Sequence, residues 1–169
     1  MERFLSSLEN AINSKNWYAA LFVALALPDI CGKIEDPNGD VGPRYRAWFK
    51  KYVEPKYTSQ VGANQRMHVF LSASDCYALR CAYLHEGADD ITEQNAREAL
   101  DKFHFIEPPQ SGLIHCNQSN QVLQLQVDIF CNDIISSVKH WLIDNKDNKD
   151  ITERLNTLIT IYEAKNIRF

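Results

Sequence analysis

The chain has 169 residues, 45% of them apolar and 24% charged, with a formal charge of −4. A single domain of this length buries roughly 70% of its unfolded surface, so it needs neither a metal nor a disulfide to hold together. The acidic balance excludes blanket attraction to nucleic acid while leaving room for a local basic patch.

Five cysteines (Cys31, Cys76, Cys81, Cys116, Cys131) form an odd set with no CxxC pair, which points to reduced thiols and a cytoplasmic protein. Met1–Asn10 carries Glu2, Arg3 and Glu9 and so lacks the apolar core of a secretory signal. The apolar run Trp17–Leu27 is too short to span a bilayer and reads as a core helix.

In chain order, Phe4, Leu5, Leu8, Ala11 and Ile12 recur at helical spacing and predict a helix over Glu2–Ser14. Asn16 can cap a second helix, Trp17–Leu27, apolar nearly all round and therefore central. Pro28 either kinks it or opens a short new helix over LPDICGKIE. Asp36-Pro-Asn-Gly-Asp40 is a turn, and Pro43–Val53 a third helix with Tyr45, Trp48, Phe49 and Tyr52 as its apolar stripe. Gln60–Met67 reads as loop and His68–Leu71 as a connector. Ser72–Gly87 is a helix, capped by Ser72 or Ser74 and stopped by Gly87, with Asp75 in its first turn.

A polar helical turn, Thr92–Leu100, comes next. The alternating stretches Lys102–Glu107, Gly112–Asn117 and Gln121–Asp128 predict a small antiparallel meander. Two helices close the chain: Asp128–Asp144, and Asp150–Lys165 burying Leu155, Leu158, Ile159 and Tyr162. The expected fold is mainly α, a helical bundle forming one domain over 1–169, with the meander inserted before the last two helices.

Arg80 and His85 carry the most chemistry. Cutting RNA without a metal needs a proton taken from the 2′-hydroxyl, one given to the leaving oxygen, and charge stabilised on phosphorus. Histidine suits the proton transfers, and its place near a helix C-terminus favours the protonated ring; arginine suits the phosphate. Five helical steps set the two residues about 140° apart, so they do not share a face of a straight helix. One pair is too few for acid, base and clamp, whereas a two-fold dimer supplies two of each. The same pair also fits a structural salt-bridge role, and a second Arg-x6-His match, Arg97 to His104, shows how weak the spacing is alone.

The segment SDCYALRCAYLHEG, with LALPDICGKIE upstream, resembles the HEPN superfamily, whose signature is Arg, four to six residues, His. The resemblance implies an HEPN-like α-helical bundle and a homodimeric, metal-independent endoribonuclease, with Arg80 as phosphate clamp and His85 as general acid/base. It also implies a setting in toxin–antitoxin or anti-phage systems, with a cognate antitoxin or nucleotidyltransferase as partner. Cys81 stands where active members carry a polar residue. The alternative is a non-catalytic helical interaction protein.

Asp29 and Glu35 are carboxylates able to orient Arg80 or His85. Arg44, Arg46, Lys50 and Lys51, interleaved with aromatics, form either an RNA-binding face or a solvated helix surface. Cys81 and His85 have the i,i+4 spacing of two metal ligands, but His115-Cys116 is the only other such adjacency, so no metal and no cofactor are expected. Gly-rich phosphate loops, GxSxG and HExxH are absent from the sequence.

Overall fold

The computed structural model describes residues 1–164. Helix α1 (Glu2–Asn13) leads into α2 (Trp17–Glu35) and α3 (Val41–Tyr52), and a 3-10 turn at Glu54–Tyr57 opens the hairpin β1 (Thr58–Val61) and β2 (Arg66–Val69). Helix α4 (Ala73–Glu86) follows, then β3 (Lys102–Ile106), β4 (Asn117–Ser119), β5 (Val122–Gln126), α5 (Val127–Asp144) and α6 (Lys149–Asn156).

The architecture is mixed α/β, not the mainly α, HEPN-like bundle with one antiparallel meander that the sequence suggests: 13% of it is strand, in two separate sheets. The β1–β2 hairpin replaces the expected loop at Gln60–Met67. Nearly all its side chains face solvent, so it carries no alternating apolar pattern. The second sheet is no meander either. Its order is β3-β5-β4, with β3 parallel and β4 antiparallel to β5. Alternation marks strands but not their direction, which is why periodicity alone could not give this topology.

Helix α2 runs unbroken through Pro28 to Glu35, and packs against α1, α3, α4, α5 and α6. Asn16 caps it by accepting a hydrogen bond from the Ala19 amide. Over its full length it is long and apolar enough to cross a membrane by composition, and half of that window is buried by the other helices. It is not apolar-buried all round: Tyr18 is 78% and Phe22 46% exposed. At Gly32 the α2 and α3 backbones meet so closely that a Cβ would lie 2.9 Å from the Arg44 carbonyl oxygen. Trp48 and Trp141 pack edge to face in the core, with ring centroids 6.5 Å apart.

Helix α6 is shorter than expected. It buries Ile151 and half-covers Leu155; beyond its end at Asn156, Leu158 is half-covered and Ile159 and Tyr162 are exposed, and the expected end at Lys165 lies outside the described residues. Thr92–Leu100 is a series of turns, not a helical turn.

Candidate functional site

Helix α4 presents the motif. Its first turn is fixed twice: the Ser72 hydroxyl accepts from the Asp75 amide, and Glu54 Oε2 accepts from the Ala73 amide at 2.8 Å. It ends at Gly87, whose φ of +68° is the left-handed cap conformation that favours glycine.

Asp75 does more than complement the helix dipole. It is 1% exposed, and its Oδ1 accepts from the amides of Glu98, Ala99 and Leu100 at 2.7, 3.1 and 3.3 Å, while Oδ2 accepts from the Ser72 hydroxyl. One buried carboxylate therefore anchors the irregular segment after α4. Nothing in the sequence signals this, because the partners lie more than twenty residues downstream.

Arg80 and His85 meet despite their angular separation on the helix. Arg80 Nη1 lies 3.1 Å from His85 Nε2, and Nη2 is paired with Asp29 Oδ2 on α2 at 2.5 Å. The long arginine stem spans the angle with α4 helical through Glu86, so no loosening of the last turn is needed. Arginine can only donate, so a hydrogen bond here calls for Nε2 as the acceptor, the tautomer with its proton on Nδ1. Burial works against the Arg80 charge, and Asp29 and Cys81 more than offset it, raising its pKa. The Asp29 and Arg80 side chains are 13% and 18% exposed, while His85 is open to solvent.

Of the two candidate orienting carboxylates, Asp29 reaches the motif and Glu35 does not. Glu35 accepts from Trp141 Nε1 at 3.1 Å and pairs with Lys51 at 3.8 Å. One turn beyond Arg80, Tyr83 packs against Phe22 with centroids 4.9 Å apart, and Tyr18 lies close enough to help raise the Tyr83 pKa, after burial. An aromatic patch from α2 thus flanks the motif.

The basic residues of α3 do not form one face. Arg44 and Lys51 line one cleft beside Glu35 and Asp36, while Arg46 and Lys50 line another beside Glu54 and Glu98. Arg46 also lies over the Tyr77 ring. Residues four apart share a helix side and those two apart do not, so the cluster divides into two pairs.

His115 and Cys116 precede β4. His115 Nδ1 accepts from the Gln126 amide at 3.3 Å, and burial lowers its pKa against the opposing pull of Asp133 and Asp128. The Cys116 thiol is pushed up to about 11 by burial and then by Asp133. Among the described residues no three His, Cys, Asp or Glu side chains converge as a metal-binding set. Comparison of the chain with protein-family models, curated proteins and solved structures gives no match.

Proposed function

We propose that the Asp29–Arg80–His85 corner is a metal-independent phosphodiester site for RNA, completed by a second copy of the chain. The observation behind this reading is the Arg80–His85 contact, which brings an imidazole nitrogen within hydrogen-bond distance of a cation held by Asp29, at a solvent-open helix end. The incoming phosphate draws Arg80 Nη1 off His85 Nε2 and onto its own oxygens, where the cation is needed, and this frees the one lone pair on Nε2. His85 Nε2 then takes the proton of the 2′-hydroxyl. Asp29 keeps the guanidinium aimed throughout. The second copy supplies the protonated histidine that returns a proton to the leaving 5′-oxygen. Exposed Tyr18 and Phe22 offer rings on which unpaired bases can stack.

A cytoplasmic role in a toxin–antitoxin or anti-phage setting, with an antitoxin or nucleotidyltransferase as partner, extends this reading through the resemblance of the Arg-x4-His segment. A second reading has its own support. The Asp29–Arg80 pair is mostly buried and ties α2 to α4, and Tyr18 and Phe22 would then be a docking surface for another protein.

Wild type, Arg80→Ala and His85→Ala, incubated with mixed RNA in EDTA, separate the two. Cleavage lost in both folded variants supports the site. Equal cleavage in all three, or none in wild type, leaves the interaction reading.

A further inference from the structure

At the C-terminal end of α2 a cavity of about 430 Å³ lies between that helix, α3, the last turn of α6 and the residues after it. Its volume falls within the usual range for small-ligand sites. Lys33, Arg44 and Arg154, from three separate elements, converge on it. Among the described residues none of the three has a carboxylate within ion-pair distance, whereas Lys51, Lys56, Arg80, Arg97, Lys102 and Lys139 each have one.

The three cations are held by backbone carbonyls instead. Lys33 Nζ donates to Pro37, Arg44 Nη1 to Gly39 at 3.0 Å, and Arg154 Nε to Ile34 at 2.6 Å. Neutral carbonyls, one from the last turn of α2 and two from the loop after it, orient these groups without matching three full charges. Arg44 Nε is buried and has no acceptor. That nitrogen is closed to solvent, so an anion in the cavity would meet the terminal nitrogens of the Arg44 guanidinium rather than Nε.

Ile30, Ile34, Pro37 and Leu158 give the wall an apolar side, with Thr157 beside them. Among the described residues Asp29 is the one acid in the lining, and it is paired with Arg80 of α4. The cavity therefore joins a cluster of positive charge to an apolar wall.

We propose that this cavity binds a phosphate monoester carrying an apolar or aromatic body, with the phosphate on Arg44, Arg154 and Lys33 and the body against Ile30, Ile34 and Leu158. Two guanidinium groups and an ammonium match a dianionic, three-oxygen head better than a single carboxylate. The site stands whether or not Arg80 and His85 cleave RNA.

Isothermal titration calorimetry of the full chain with phenyl phosphate, inorganic phosphate and phenol at low salt tests it. Saturable phenyl phosphate binding, at least about tenfold tighter than inorganic phosphate, is expected from burial of the ring, with phenol weaker still. Lys33→Gln and Arg154→Gln should each weaken phenyl phosphate about five- to tenfold, since each removes a charge-assisted contact. Circular dichroism confirms that each variant is folded, and the exposed position of Lys33 keeps that variant informative if Arg154→Gln unfolds. Absence of saturable binding in the wild type, or unchanged affinity in folded Lys33→Gln, overturns the proposal. Equal affinity for inorganic and phenyl phosphate removes the apolar half of it.

Discussion

Arg80 Nη1 and His85 Nε2 lie 3.1 Å apart, and because a guanidinium only donates, a hydrogen bond between them calls for the tautomer protonated on Nδ1. Nitrogen-detected NMR of the neutral ring should show the Nδ1–H form in the wild type. In Arg80→Ala the ring should move toward the Nε2–H form that a histidine side chain free in water favours. An identical tautomer ratio in both proteins would mean that the contact is not populated in solution.

Asp75 should prove to be one of the least replaceable polar residues. Asp75→Ala leaves the amides of Glu98, Ala99 and Leu100 without their acceptor, and a cost of about 3 kcal/mol is expected from several lost charge-assisted bonds. Asp75→Asn keeps an acceptor oxygen and should cost less. Urea denaturation gives the stability change, and amide exchange at 98–100 should accelerate far more than exchange in α1.

At Gly32 two effects oppose one another. Alanine gains about 1 kcal/mol of helix propensity over glycine, but its Cβ would lie 2.9 Å from a carbonyl oxygen of α3. Backbone cannot rotate aside as a side chain can, so the two helices must separate. Overpacking of this kind typically costs about 1–3 kcal/mol, and a net loss of stability is expected for Gly32→Ala. A rise in melting temperature would contradict the close crossing.

Alkaline pH should destabilise the fold through its buried thiols. Burial pushes Cys76 and Cys131 up to about 12 and Cys116 up to about 11, from an ordinary value of 9.0. The folded chain therefore holds these protons more tightly than the unfolded one. That contribution is fully present below pH 9.0 and declines as pH rises through about 11 and 12. Urea midpoints measured upward from pH 8 should fall across this window, and the fall should be shallower in Cys131→Ala.

The helices were largely legible in the sequence because each carries its own signal: Ser72 and Gly87 bracket α4, and Asn16 caps α2. The hairpin at Thr58–Val69 was hidden because both its faces meet solvent, leaving no alternation to find. Direction was hidden in the second sheet, where Phe103 and Leu123 alternate alike in parallel or antiparallel pairing. At the candidate site, residue types pointed to Arg80, His85 and Asp29, but angular spacing argued against a contact that the arginine stem makes easily. The Asp75 anchor and the convergence of Lys33, Arg44 and Arg154 depend on chain segments distant in sequence, which no local pattern records.

Strand β5 ends at Gln126 and helix α5 begins at Val127, with no connecting residue between them. The Gln126 amide and side chain are tied to His115 and Asp128, which leaves the joint no slack. The central strand and α5 are thus mechanically one lever. A tilt of α5 would therefore be passed directly to β5, and through its ladders to β3 and β4.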